Sequence, residues 1–132
     1  MFGGAVSRVL VVDDDAVIRN LLEVNLQLEG YEVSLAIDGG DALTQVAAAP
    51  PDLILLDVMM PGMDGWDVAK RLKDDEIAAA IPVVLLTARA MRADVQRGTD
   101  LGVEGYVTKP FDPDELLAVI DRLLGAGAGE RR

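Results

Sequence analysis

Three continuous four-residue apolar runs constrain this chain more than any other feature: 9–12 (Val-Leu-Val-Val), 53–56 (Leu-Ile-Leu-Leu) and 83–86 (Val-Val-Leu-Leu), each flanked by turn or cap residues. A strand wetted on one side alternates apolar and polar residues, whereas an unbroken apolar run suits a strand covered on both faces. Two weaker strand segments fit beside them, 31–36 with apolar alternation and 104–108 after Gly102. Between the strands the apolar residues take helical spacing: Ile18, Leu21, Leu22 and Leu26; Ala42, Leu43, Val46 and Ala47; Val68, Ala69 and Leu72. Leu116, Leu117, Ile120, Leu123 and Leu124 repeat that spacing at the end. Asp38 and Asp112 stand where helix N-caps belong, Gly30 and Gly102 where C-caps belong. A β-α order repeated five times predicts a doubly wound α/β sandwich, with a parallel sheet, right-handed crossovers and helices on both faces.

Composition narrows the chemistry. The 132 residues suit one domain, predicted over 1–124, followed by a flexible Gly/Ala-rich tail or linker at 125–132. With no Cys and no His, the chain has no disulfides, no thiolate or imidazole metal sites, no Ser-His or Cys-His catalysis and no phosphohistidine of its own. Carboxylates, hydroxyls and lysine remain. A net charge of −11 predicts no direct nucleic-acid binding, since that rests on neutralising phosphates with Lys and Arg. No apolar stretch approaches the ~18 residues of a membrane span, and residues 1–7 lack the features of a secretory signal, which predicts a cytoplasmic protein.

In open α/β sheets ligands bind outside the carboxyl ends of the strands. The first run ends in Asp13, Asp14 and Asp15, the third strand in Asp57, the fourth in Thr87 and the fifth in Lys109. Any one of these residues alone has an ordinary structural explanation: an Asp after a strand caps a helix or a turn, as Asp15 is expected to do. Their joint placement does not. If the first and third strands are neighbours, Asp13, Asp14 and Asp57 crowd together, and two like charges ~4 Å apart cost about 4 kcal/mol at an effective dielectric of 20. Relief must come from protonation, from Lys109 or from a bound cation. An all-oxygen donor set with few protein ligands favours Mg²⁺, with Mn²⁺ as an alternative.

The chain resembles a response-regulator receiver domain, CheY-like, from about Arg8 to Leu124. The resemblance lies in residues 9–14 (Val-Leu-Val-Val-Asp-Asp), 53–65 (Leu-Ile-Leu-Leu-Asp-Val-Met-Met-Pro-Gly-Met-Asp-Gly), 81–88 (Ile-Pro-Val-Val-Leu-Leu-Thr-Ala) and 105–111 (Gly-Tyr-Val-Thr-Lys-Pro-Phe). It implies a flavodoxin-like three-layer sandwich with strand order 2-1-3-4-5, and a signalling module rather than an enzyme with a separate substrate. It implies that Asp57 accepts a phosphoryl group from a phosphohistidine on a sensor histidine kinase or phosphotransfer protein. Asp14, Asp57 and the Met59 backbone carbonyl would hold Mg²⁺, with Asp13 acting mainly through water. Lys109 and Thr87 would contact the phosphoryl oxygens. Thr87 and Tyr106 would pass the change to the surface of the fourth helix, fifth strand and fifth helix, read by an unknown downstream protein. Lys109-Pro110 is a candidate cis peptide.

Two departures from the family pattern carry expectations of their own. Met59 and Arg89 flank the expected phosphoryl site and cannot orient an attacking water as a carboxylate or amide does, so slow self-dephosphorylation is predicted. Asp121 stands where receivers that dimerise through the last helix often carry a basic residue, which argues against that dimer. The first helix also has more apolar residues than one packed face requires, from Val17 to Leu28, and its flank is a candidate for docking a kinase helix.

The main rival is a haloacid-dehalogenase-type phosphatase with Asp13 as nucleophile, since Asp13, Asp15 and Val17 fit its D-x-D-x-T/V pattern. It lacks the acidic pair expected after the lysine and leaves Asp57 without a role. A flavin carrier of the same fold would need a phosphate loop after the first strand, where Asp13, Asp14 and Asp15 repel phosphate.

Overall fold

The structure, a computed structural model, describes residues 6–88 and 92–125. Five parallel strands, β1 (Arg8–Val12), β2 (Glu32–Ala36), β3 (Leu53–Asp57), β4 (Val83–Thr87) and β5 (Gly105–Thr108), form one sheet in the order β2-β1-β3-β4-β5. The helices are α1 (Ala16–Leu28), α2 (Gly39–Ala48), α3 (Gly65–Asp74), α4 (Arg92–Leu101) and α5 (Pro113–Leu124). The predicted sandwich and strand order are both present.

The apolar runs form strands because each can be buried on two sides. Val9, Val11, Leu53, Leu55, Val84 and Leu86 point to one face, where Leu22 and Leu26 of α1 and Leu116 and Ile120 of α5 cover them. Leu10, Val12, Ile54, Leu56, Val83 and Leu85 point to the other and meet Ala42 and Val46 of α2 and Val68, Ala69 and Leu72 of α3. The period of two thus splits each run between two cores.

Strand ends differ from the sequence reading by single residues, each for a visible reason. The sequence puts Tyr31 in the second strand, but its N–H bonds the Leu26 carbonyl while Gly30, at φ +93°, bonds Gln27. This is a Schellman closure of α1, repeated at α4 by Gly102 and Val103. Glu104 lies just outside β5. Its carboxylate accepts from Val83 N–H and from Lys73, whose ammonium also bonds the Ala79 and Ile81 carbonyls. That knot fastens α3, β4 and β5 together at the edge of the sheet opposite the carboxyl ends. A single 3₁₀ turn, Ala78–Ala80, precedes β4, held by Asp75 accepting from Ile77 and Ala78 N–H. Asp15, Asp38 and Asp112 cap their helices as predicted.

Candidate functional site

Among the described residues the buried polar or charged side chains are Asp13, Asp57 and Thr87, and all three lie at the carboxyl ends of strands. Val12 pairs with Leu56 across β1 and β3, so the next residues, Asp13 and Asp57, stand side by side. Asp14 follows on the solvent side. Carboxylate oxygens of Asp13, Asp14 and Asp57 lie within 4.8 Å of one another. Lys109, just past β5, reaches back over β4, its ammonium 2.9 Å from Asp13 Oδ2 and 3.3 Å from Asp57 Oδ1. The Lys109 N–H donates to the Thr87 carbonyl at 2.6 Å, and the peptide bond from Lys109 to Pro110 is cis.

The three carboxylates are held differently. Asp13 is the most engaged: Oδ1 accepts from the Asp15 N–H, Oδ2 from Lys109, and its carbonyl from Arg19 Nη1 at 2.7 Å. Asp57 Oδ1 accepts from the Met59 N–H at 3.2 Å. Asp14 is exposed and takes no hydrogen bond from the described residues. Burial, with the charge of Asp13 second, pushes the Asp57 carboxyl up from 3.8 to about 6, against the pull of Lys109 and the Met59 N–H. Burial works to lower the Lys109 ammonium, but its hydrogen bond to Asp13 and the charges of Asp13 and Asp57 outweigh burial and hold it above its ordinary range.

Three carboxylates against one ammonium leave two negative charges, the charge that one divalent cation neutralises. The donors are all oxygen and two of the three residues are buried, so the site is compatible with Mg²⁺.

The remaining predicted residues fall at graded distances from this cluster. Thr87 ends β4, buried at the same edge. Met59 has an exposed side chain just past Asp57. Tyr106 pairs with Leu85, two residues below the edge, half-buried beside the core, its ring close to Gly98 of α4. Arg89 and residues 126–132 of the predicted tail lie outside the described residues. Asp121 accepts a hydrogen bond from the Tyr31 hydroxyl.

Two residues support the site in ways the sequence reading does not assign, Gly65 of the 53–65 segment and Arg19. Gly65 opens α3 directly behind Asp57: a Cβ there would sit 2.4 Å from the Asp57 carbonyl oxygen and 2.7 Å from Val58 Cα, and its N–H donates to the Val58 carbonyl. A glycine as the first residue of a helix is by itself a weak signal of close backbone approach. Arg19 has no such signal, because its partner is a backbone carbonyl.

A sheet with this order and this acidic edge defines a receiver-type α/β domain. The response regulator receiver domain family model matches residues 9–121, and the chain belongs to that family. It is 44% identical over 117 residues to the "DNA-binding dual master transcriptional regulator RpaA" of Synechocystis sp., covering 89% of this chain and 48% of that protein. It is 47% identical over 136 aligned positions to the response regulator PleD of Caulobacter vibrioides, covering 96% of this chain and 30% of that protein. The chain thus spans half or less of these relatives' length. Among solved structures it resembles the chemotaxis response regulator CheY4 of Vibrio cholerae, with a TM-score of 0.85 and 35% identity over 90% of this chain and 99% of that one. The Francisella response regulator 1452 receiver domain gives 0.84 and 33%, over 89% and 96%. The chain is a receiver module of two-component signalling. The phosphatase alternative finds no support in these matches, and both Asp13 carboxylate oxygens are already hydrogen-bonded. No described helix is long and apolar enough to cross a membrane.

Because the folded protein holds the Asp57 proton more tightly than the unfolded chain does, native stability is lost as pH rises from 3.8 to about 6, and the penalty is complete above that range. Asp57→Asn removes it. In metal-free buffer the variant is expected to be more stable than wild type near pH ~7.5, by up to about 3 kcal/mol, with the gap closing by about pH 4. Urea midpoints at the two pH values check this; equal midpoints at the higher pH would contradict it.

Proposed function

We propose that Asp57 is the phosphoacceptor of this receiver, loaded by a phosphohistidine on a sensor histidine kinase or phosphotransfer protein in the cytoplasm. The observation that carries the reading is the meeting of Asp57 with Asp13, Asp14 and Lys109 at one strand edge. A carboxylate oxygen of Asp57 bonds to phosphorus as the phosphorus–nitrogen bond to the donor imidazole breaks; the departing nitrogen keeps the electron pair and takes a proton from water. Asp14, Asp57 and the Met59 carbonyl would hold Mg²⁺ or Mn²⁺, and Asp13 would act mainly through water. When bound, the cation supplies charge neutralisation for the transferring phosphoryl group. Lys109 neutralises from the other side, and Thr87 donates its hydroxyl to a phosphoryl oxygen. These groups serve both loading and loss of the phosphoryl group, so the module assists its own turnover.

Thr87 and Tyr106 form the switch in this reading. The new acceptors draw Thr87 inward, Tyr106 follows, and the surface of α4, β5 and α5 changes for a downstream protein. The receiver ends with α5 at Leu124, and the segment after it serves as tail or linker.

The test is treatment with Mg²⁺ and acetyl phosphate. Wild type is expected to gain the mass of one phosphoryl group and Asp57→Asn none; equal labelling of both, or phosphate on Asp13, would refute the assignment.

Met59 presents an exposed thioether at the mouth of the site, a group that cannot orient water. The acyl phosphate is therefore expected to last longer in wild type than in Met59→Asn, by several-fold, when decay is followed after donor removal. A longer-lived phosphate in the variant would count against this.

Val17, Leu21, Val24 and Leu28 are 71%, 45%, 55% and 78% exposed, spaced at i, i+4, i+7 and i+11 along α1. They form one apolar stripe facing away from the core, suited to a helix of the kinase. Val24→Asp is expected to leave labelling by acetyl phosphate unchanged and to slow transfer from a phosphorylated kinase that loads wild type. Equal slowing from both donors would place the defect in the site instead.

A further inference from the structure

We propose that Arg19 is a positioning residue for the cation site, acting through the peptide between Asp13 and Asp14. The inference rests on the reading of that acidic edge as a Mg²⁺ site. Arg19 begins the second turn of α1, its own N–H bonding the Asp15 carbonyl. A helical side chain leans toward the N-terminus of its helix, so Arg19 folds back over the β1–α1 loop. There Nη1 donates to the Asp13 carbonyl at 2.7 Å, a charge-assisted bond to a carbonyl that stands beyond the last residue of β1.

That carbonyl belongs to the peptide plane from which Asp14 departs. Asp13 is tethered at four points, by its N–H on the Ala36 carbonyl, by Asp15, by Lys109 and by Arg19. The Asp14 side chain has no such tether among the described residues, so its direction depends on the backbone that carries it. Arg19 holds the peptide on the amino side of Asp14, as the Asp13 carboxylate, accepting from the Asp15 N–H, holds the one on its carboxyl side. Orienting groups of this kind act on metal affinity through the ligands they hold.

Charge and position make opposite predictions here. A guanidinium beside an acidic cluster repels an incoming cation, so on charge alone its removal tightens Mg²⁺ binding. If Arg19 sets the direction of Asp14, removal weakens binding despite the lost repulsion.

The experiment is titration of Mg²⁺ into the full chain, followed by backbone amide NMR shifts, which report the dissociation constant and the fold together without phosphorylation. Arg19→Met is expected to weaken Mg²⁺ binding about 10-fold with the amide spectrum otherwise retained. Arg19→Lys, which keeps charge and a donor, is expected to stay close to wild type. Should the Met variant lose its fold, Arg19→Gln, too short to reach the carbonyl, takes its place with the same expectation. Unchanged or tighter binding in the variant that lacks the hydrogen bond overturns the proposal. Asp14→Asn separates the two layers. If it abolishes binding while Arg19→Met does not, the cation reading stands and the role of Arg19 falls; if wild type shows no saturable shifts, the cation reading itself falls.

Discussion

The ammonium of Lys109 between Asp13 and Asp57 is the contact on which the rest of this structure depends. Without it, two buried carboxylates on adjacent strands face each other at the end of the sheet, and like charges ~4 Å apart cost about 4 kcal/mol at an effective dielectric of 20. That is a large part of the ~5–15 kcal/mol that holds a domain together. Lys109 reaches Asp13 on the far side of β3 because β5 lies beside β4 and its stem is long enough to span the gap. The fully apolar interiors of β1, β3 and β4, covered on both faces, supply the stability that lets the edge remain charged.

Much of this was legible in the sequence, for a physical reason. A strand sealed on both faces is written as an unbroken apolar run, and three such runs located β1, β3 and β4 to within a residue of their ends. Residues at or just past the end of a parallel strand fall at the carboxyl edge, so Asp13, Asp57, Thr87 and Lys109 were readable as one group. Strand order was not, since it depends on which crossovers pack together, and it came from the family resemblance. The misplaced start of the second strand was decided by one hydrogen bond, which drew Tyr31 out of the ladder to the Leu26 carbonyl, and the turn at Ala78–Ala80, which no periodicity marks, depends on one carboxylate, Asp75. Gly65 and Arg19 act on backbone atoms, and a contact with a main-chain carbonyl leaves no pattern in side-chain types.

The two ends of the sheet are built on different terms. At the amino-terminal edge, Glu104 and Lys73 satisfy each other and the surrounding main chain. At the carboxyl edge, the carboxylates outnumber the single ammonium. A buried excess of carboxylate of this kind is compatible with a ligand of opposite charge, and among the described residues the fold supplies no protein cation besides Lys109 in contact with those carboxylates.

The state of Asp57 fits its proposed task. A carboxylate pushed up to about 6 is still mostly ionised near neutral pH, so a nucleophilic oxygen is available, yet it is poorly solvated and gains from any positive charge brought close. Asp13, both oxygens engaged, serves as the fixed negative charge that raises Asp57 and anchors Lys109. Asp14, exposed and free of hydrogen bonds from the described residues, is the carboxylate that would meet a cation without breaking a contact. In the proposed reading, fixed charge, nucleophile and exposed cation ligand thus fall to three aspartates distinguished only by burial and by what already holds them. A chain with no histidine and no cysteine can assign three chemical roles to one residue type in this way.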